Sequence, residues 1–158
     1  MTEANDETML RRAFAVAQRS RDHGNHPFGA ILVGPKGEVL IETENSLMPA
    51  RDMTAHAERL LATAASKKYD APFLAECTMY TSAEPCAMCA GAIYWAGIGR
   101  VVYGLSEGRL KLMTGKHPGN PTMFLPCRTV FAAGQRWVEV VGPLLEDEAA
   151  AQHAGVWD

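Results

Sequence analysis

Two short segments of the sequence contain residue types that can hold a catalytic metal ion. The first segment carries His56 and Glu58, and the second carries Cys86 and Cys89. Zinc in proteins favours thiolate and imidazole ligands, and a catalytic zinc keeps three protein ligands and an open fourth position. His56, Cys86 and Cys89 therefore predict a catalytic zinc site with one Zn2+ per subunit.

The spacing of these residues separates three ligands from a residue with another duty. Cys86 and Cys89 stand three positions apart, so a helix over this segment places both sulfur atoms on one face. His56 and Glu58 stand two positions apart, which does not suit two ligands on one helical face. We expect His56 to bind the metal near the start of a helix, and Glu58 to lie over the open coordination position.

The charge of the ligand set indicates what Glu58 does there. Two thiolates and a neutral imidazole leave zinc formally near neutral, so a water at the open position needs a base beside it. A carboxylate can take the proton of that water and return it to the substrate. Glu58 is thus predicted to be the catalytic acid and base. The alternative is a closed structural site with Cys77 or Cys127 as the fourth ligand.

These segments resemble the signature of the cytidine deaminase-like zinc hydrolases, in which H-x-E is followed by P-C-x-x-C. Residues 27–30, 80–86 and 91–95 are similar to the guanine and nucleobase deaminase branch of that superfamily. Residues 89–92 and 98–104 are similar to bacterial tRNA adenosine deaminases as well. The resemblance covers about residues 8–105, and it implies hydrolytic removal of an amino group from a base.

The resemblance also implies which residues contact the substrate: Phe28, Asn45, Ala57, Trp95 and Trp157. Asn45 would bind the base, Phe28 and Trp95 would sandwich it, and Trp157 would close the pocket of its own or a neighbouring subunit. The residues taken alone leave other interpretations open. Asn45 also suits a turn, the two aromatic residues also suit a core, and Trp157 also suits a terminal anchor.

Length and composition set broader limits on the protein. A chain of 158 residues with 47% apolar residues predicts a single deaminase domain over 1–158. The 15 basic and 18 acidic residues give a net charge of -3, which disfavours a nucleic acid partner. The sequence shows neither a membrane span nor a signal peptide, and four cysteines suit a reducing compartment, so we expect a cytoplasmic protein.

Hydrophobic periodicity and turn residues predict the elements that position the site. They are an N-terminal helix ending at Gly24, a hairpin of strands 28–33 and 39–43, a helix over 54–66 capped by Thr54, a strand over 77–81 leading into the cysteine helix, a strand over 100–103, a helix over 106–113, a strand over 137–141 and a helix from Pro143. Strands that alternate with helices predict a three-layer α/β/α sandwich around a mixed five-stranded sheet. Residues 115–126 are predicted to be an irregular loop near the site.

We therefore expect a zinc-dependent hydrolytic deaminase that acts on a free nucleobase or nucleoside. Guanine or a related aminopurine is the first choice of substrate, and cytosine or cytidine is the second. A tRNA adenosine deaminase is one alternative, and a catalytically silent zinc-bearing scaffold is another. Apolar residues in and after the cysteine helix, together with the resemblance, predict a homodimer; they are Ile93, Tyr94, Trp95 and Ile98.

Overall fold

The computed structural model describes residues 3–158, which form seven helices and five strands. In chain order the elements are α1 (Glu3–Asp22), β1 (Gly29–Val33), β2 (Val39–Glu44), α2 (Ala57–Lys68), α3 (Ala71–Leu74), β3 (Thr78–Ala83), α4 (Ala87–Ala96), β4 (Arg100–Leu105), α5 (Glu107–Thr114), α6 (Cys127–Ala132), β5 (Glu139–Val141) and α7 (Glu146–Ala151). None of the helices in this described part has the length and apolar character needed to cross a bilayer.

The five strands form one mixed sheet in the order β2-β1-β3-β4-β5. The β1–β2 hairpin is antiparallel, and β1 also pairs antiparallel with β3. The other pairs, β3 with β4 and β4 with β5, are parallel. Parallel neighbours need a crossover connection, and the helices that follow β3 and β4 supply it. The predicted mixed five-stranded sheet is confirmed.

Two hydrophobic clusters cover the two faces of the sheet. Alternation along β1 sends Ala30 and Leu32 to one cluster and Ile31 and Val33 to the other. The first cluster contains side chains from α2, α4 and α6, and the second contains side chains from α1, α5 and α7. Helices therefore lie on both sides of the sheet, which confirms the predicted three-layer α/β/α sandwich.

Several element boundaries differ from those predicted. Helix α2 begins at Ala57 with His56 as its N-cap, and Thr54 is not the cap. Thr54 instead gives its backbone N–H and its hydroxyl to Asp52, which holds it in the preceding turn. The last helix begins at Glu146 rather than Pro143, because residues 142–144 continue beside β4 and donate a backbone hydrogen bond to it.

A crevice forms where the parallel strands β3 and β4 reach their carboxyl ends, at one edge of the sheet. After the parallel strands β3 and β4, the chain turns to opposite faces, because α4 packs in the first cluster and α5 in the second. Strand β1 begins and β2 ends at this same edge, since both run antiparallel to their neighbours. In open α/β sheets such a point, at the carboxyl ends of parallel strands, is where ligands bind.

Candidate functional site

A cavity at this edge of the sheet contains several of the residues that the sequence singled out. It is lined by Phe28, Asn45, His56, Glu58 and Cys86, among others. These residues come from the start of β1, the end of β2, the start of α2 and the start of α4. These residues are distant in sequence. They meet at one cavity because β1, α2 and α4 begin, and β2 ends, on the same side of the sheet.

The three predicted zinc ligands form a compact cluster. Nδ1 of His56 lies 3.7 Å from Sγ of Cys86 and 3.7 Å from Sγ of Cys89. All three candidate ligand atoms lie within 4.8 Å of one another. Tetrahedral zinc requires separations of about 3.5 Å between nitrogen and sulfur and about 3.8 Å between two sulfurs. The residues therefore fit a zinc ion with a fourth position open to the cavity.

A closed structural site finds no support in the arrangement of the other cysteines. Cys77 and Cys127 are free, buried thiols, as predicted. Neither belongs to the cluster, and among residues 3–158 no other group of three potential ligands of this kind is present. The buried thiols belong to the hydrophobic cluster that α2, α4 and α6 share, where they pack as small apolar side chains.

Two helix starts present the ligands to the metal. His56 is the N-cap of α2 and Cys86 is the N-cap of α4, and neither side chain makes a capping hydrogen bond. Both side chains are therefore free to bind a metal rather than a backbone N–H. Cys89 follows in the first turn of α4, where the partial positive charge of the helix start favours thiolates.

The cysteine pair is prepared for metal binding by its hydrogen bonds. The thiol of Cys89 and the imidazole of His56 lower the pKa of Cys86 to about 4, although burial opposes this effect. The same bond to Cys86, together with burial, raises the pKa of Cys89. One thiolate is thus favoured by the protein itself, and a bound metal would favour the thiolate form of Cys89 as well.

Glu58 has the environment of a proton carrier. It is the second residue of α2, its side chain is 5% exposed, and it lines the cavity beside the ligand cluster. Burial raises the pKa of this carboxyl from its ordinary value to about 7. A carboxyl with a pKa near neutrality can both accept and donate a proton at little cost, which suits general acid and base catalysis.

The predicted substrate residues Phe28 and Asn45 both face the cavity. Asn45 is 3% exposed, and its Oδ1 atom has no hydrogen-bond partner within residues 3–158. Only its backbone is used locally, because the N–H donates to the carbonyl of Phe28 and the C=O accepts from Ser20. The side chain does not stabilise a turn, so its amide is available to a ligand.

The other three predicted substrate residues do not line the cavity. Trp95 lies on α4 with 85% of its surface exposed, outside the lining of the cavity. Ala57 is buried in the core, where its carbonyl accepts a hydrogen bond from Thr43. Trp157 lies behind the lining residues, with its ring centroid 6.4 Å from that of Phe28.

Sequence reasoning missed several residues of the site. Glu107 lines the cavity from the start of α5, and His26 lines it from the turn before β1. The predicted loop over 115–126 contributes Gly119 and Asn120, which confirms that it lies near the site. The sequence offered one related signal, Ser106, which suits the N-cap of a helix beginning at Glu107. A cap locates the start of a helix, but it does not show which part of the protein that start faces.

Glu84 was part of the recognised segment but had no assigned role. Its carboxylate accepts the backbone N–H of Glu107 at 2.9 Å and that of Cys127 at 2.9 Å. One buried side chain thus fixes the start of α5 and the start of α6 to the end of β3. Glu84 is therefore a positioning residue for the cavity wall.

Known proteins resemble this chain over most of its length. Residues 3–105 match the family described as the cytidine and deoxycytidylate deaminase zinc-binding region. A probable cytosine deaminase of Schizosaccharomyces pombe is 43% identical over 154 residues, which are 97% of this chain and 93% of that protein. A guanine deaminase of Bacillus subtilis is 43% identical over 100 residues, which are 63% of this chain and 64% of that protein.

Solved structures show the same fold. A guanine deaminase from Nitrosomonas europaea superposes with a TM-score of 0.75 at 24% identity, over 92% of this chain and 81% of that chain. At this identity the likeness shows a shared fold. It agrees with the three-layer sandwich around a mixed five-stranded sheet.

Proposed function

The chain belongs to the cytidine and deoxycytidylate deaminase zinc-binding family, and from this premise we propose that it hydrolyses the amino group of a neutral nucleobase or nucleoside. Nucleobase or nucleoside deamination follows from the family and from the cytosine and guanine deaminase relatives. The observation that carries the proposal is the position of Glu58 in the cavity lined by His56 and Cys86, two of the three candidate zinc ligands. A structural zinc site has no need of that carboxylate.

The lining of the cavity favours a neutral substrate over a nucleotide or an RNA. None of the described residues that line it is lysine or arginine, whereas Glu58, Glu84 and Glu107 all carry carboxyl groups. Phosphate groups are bound in proteins by cationic side chains and by helix starts. No lysine or arginine is there to bind a phosphate, so a free base or a nucleoside fits this cavity better.

His56, Cys86 and Cys89 would hold the zinc ion, and the bound metal would supply Lewis acidity that activates a water toward the amino-bearing carbon. Glu58 accepts the proton of that water on its carboxylate. It then gives the proton to a ring nitrogen and a further one to the leaving amine, so that ammonia departs and a carbonyl group remains. The side chain of Phe28 packs against the ring, and the Asn45 amide orients its polar edge.

Guanine or a related aminopurine is the base that we propose first, with cytosine or cytidine second. The relative from Bacillus subtilis supports a guanine-type substrate, and its match covers 63% of this chain. The relative from Schizosaccharomyces pombe supports cytosine, and it covers nearly the whole chain. Both substrates carry the reacting amino group on a carbon next to a ring nitrogen, so the same residues serve either reaction.

An ammonia-release screen tests the proposed function. The zinc-loaded protein is incubated with guanine, guanosine, cytosine, cytidine, adenine, adenosine and a tRNA anticodon stem. We expect release from at least one free base or nucleoside and none from the RNA. Failure of every base and nucleoside would contradict the proposal and favour a zinc-bearing scaffold that has lost catalysis.

Trp157 supports the cavity wall from within its own chain, and we propose that it acts on substrate binding in this indirect way. Its ring lies 4.4 Å from that of His26, and its Nε1 donates a hydrogen bond of 3.0 Å to His153. Burial lowers the pKa of His153 to about 4, so the imidazole stays neutral and can accept this bond.

Replacement of Trp157 by alanine is expected to raise KM more than it lowers kcat, because the ring supports lining residues and does not touch the reacting atoms. Loss of this buried ring should also reduce the free energy of unfolding by about 3 kcal/mol. Steady-state kinetics and chemical denaturation measure the two effects. Trp137→Ala, which removes an exposed indole, is the matched control. An unchanged KM in Trp157→Ala would contradict the supporting role.

We also propose a homodimer and a single deaminase domain over 1–158. Ile93 and Ile98 are fully buried and cannot contact a partner subunit. Trp95 on α4 is exposed and can do so. An exposed tryptophan of this kind is typical of an interface. We expect a dimer mass in solution that Trp95→Glu converts to a monomer, and one cooperative unfolding transition. A monomeric wild type would exclude the dimer.

A further inference from the structure

The carboxyl group of Glu107 is buried at the cavity without a partner from the protein. The residue is 5% exposed and lines the cavity from the first position of α5. Its backbone N–H donates to Glu84, and its carboxyl group, which receives no hydrogen bond or ion pair from residues 3–158, opens into the cavity. A carboxyl that opens into a ligand cavity and has no partner in the protein is available to bind a ligand. Its presence at a ligand cavity therefore points to a partner in the substrate.

The protein fixes this carboxyl group in place. Glu84 binds the backbone N–H of Glu107 at 2.9 Å, and Glu146 binds that of Ser106 at 2.8 Å. The Ser106 hydroxyl caps α5 by accepting the N–H of Arg109. Three polar groups thus hold one helix start, and rigid support of this kind is what a binding residue requires.

A second unpartnered group faces the same cavity. Oδ1 of Asn45 is buried and accepts no hydrogen bond from the described residues. Glu107 and Asn45 come from different elements, α5 and the end of β2, so their common exposure to the cavity is not a property of one helix start. Both groups can accept a hydrogen bond, so they suit a ligand that brings N–H groups.

The charges around Glu107 agree with this interpretation. Burial raises the pKa of its carboxyl to about 8, and the negative groups of Cys86, Glu84 and Glu58 act in the same direction. The imidazole of His56 acts in the opposite direction, and its effect is smaller than that of burial. Glu107 lines the same cavity as Cys86 and Glu58.

Resting on the proposed deaminase function, we propose that Glu107 determines substrate specificity by binding a ring N–H next to the reacting carbon. Guanine has such a donor, because its amino-bearing carbon lies between two ring nitrogens and one of them carries hydrogen. In cytosine and adenine the same carbon lies between an unprotonated nitrogen and a carbon atom. The preferred substrates are therefore cyclic acylguanidines, which include 2-amino-oxopurines and 2-amino-oxopyrimidines.

Isocytosine and cytosine form a matched pair of probes. They are isomers with the same ring size, and hydrolysis replaces the C–N bond of either by C–O to give uracil and ammonia. They differ in the ring N–H beside the reacting carbon. We expect kcat/KM of the wild type to be about 10- to 100-fold higher for isocytosine, the range that one hydrogen bond to a buried ionisable group provides.

Two variants of Glu107 then test the residue itself. Glu107→Met keeps the length of the side chain and removes the acceptor, so kcat/KM should fall about 10- to 100-fold for isocytosine and stay largely unchanged for cytosine. Glu107→Gln keeps one acceptor oxygen and should lie between these results. The Tm of Glu107→Met should equal or exceed that of the wild type, because an unpartnered buried carboxyl is lost.

A binding measurement separates recognition from chemistry. In the zinc-loaded Glu58→Ala background the substrate stays intact, and calorimetry gives its Kd directly. The further change Glu107→Met should weaken isocytosine binding and leave cytosine binding unchanged. Equal weakening for both isomers, or no change for either, would overturn the assignment.

Other results of these experiments distinguish failure of the Glu107 assignment from failure of the deaminase function. A wild type that prefers cytosine overturns the inference and leaves the deaminase function intact, whereas no ammonia from any base overturns the function itself. A large loss of stability in Glu107→Met shows a structural role and overturns the assignment. Should that variant fail to fold, an unchanged ratio of the two isomers in Glu107→Gln overturns it as well.

Discussion

Glu58→Ala is expected to abolish ammonia release while the protein keeps its zinc and its fold. Glu58 moves every proton in the proposed reaction, and general acid and base catalysis contributes factors of about 10²–10⁴ at each such step. The loss in kcat should therefore reach at least the upper end of that range. Ammonia detection gives the rate, and elemental analysis gives the zinc content.

The retained zinc content is the decisive part of this experiment. Glu58 stands outside the cluster formed by His56, Cys86 and Cys89, so its removal takes no ligand from the metal. Glu76→Ala, which changes an exposed glutamate far from the cavity lining, serves as the control and should keep full activity. Loss of zinc in Glu58→Ala would identify Glu58 as a fourth ligand and remove it from the role of proton carrier.

The metal cluster could be predicted from the sequence because its geometry is mostly local. Cys86 and Cys89 lie within one helical turn, and their relation is fixed once α4 forms. The prediction of His56 as the third ligand depended on the start of α2 lying close to the start of α4. The resemblance to the deaminase signature implied that arrangement. The strands could be predicted for a similar reason, because their signal is also local. Successive apolar residues of β1 pack into the hydrophobic clusters on the two faces of the sheet.

The walls of the cavity could not be predicted in this way, because they depend on how distant elements pack. Helix α4 is apolar almost all round, so its pattern does not distinguish the buried face from the side that exposes Trp95. Glu107 looks like an ordinary acidic residue in the first turn of a helix. Its place at the cavity depends on the fold, in which Glu84, just after β3, binds the backbone N–H of Glu107.

The role of Glu84 in supporting the site could not be predicted from the sequence either. A glutamate before Pro85 gives no sign that its two oxygens will bind the starts of α5 and α6. Those hydrogen bonds join residues 23 and 43 positions away along the chain. Such partners are fixed by the fold, and spacing within one segment carries no information about them.

Removal of one thiolate is expected to have the second large effect, since Cys89→Ala leaves only His56 and Cys86 to bind zinc. Two ligands cannot complete a site that normally uses three, and loss of outer groups alone already weakens metal binding about 10- to 100-fold. We expect a larger loss of zinc affinity, no measurable ammonia release and a lower Tm. Zinc titration with a competing chelator measures the affinity.

The two other cysteines provide matched controls for this experiment. Cys77→Ala and Cys127→Ala each remove a buried thiol outside the ligand cluster, so both variants should keep one zinc per chain and most of their activity. A closed structural site would instead lose its metal when Cys127 or Cys77 is replaced. Zinc loss in either control, or full zinc retention in Cys89→Ala, would contradict the three-ligand site with an open fourth position, on which the proposed reaction depends.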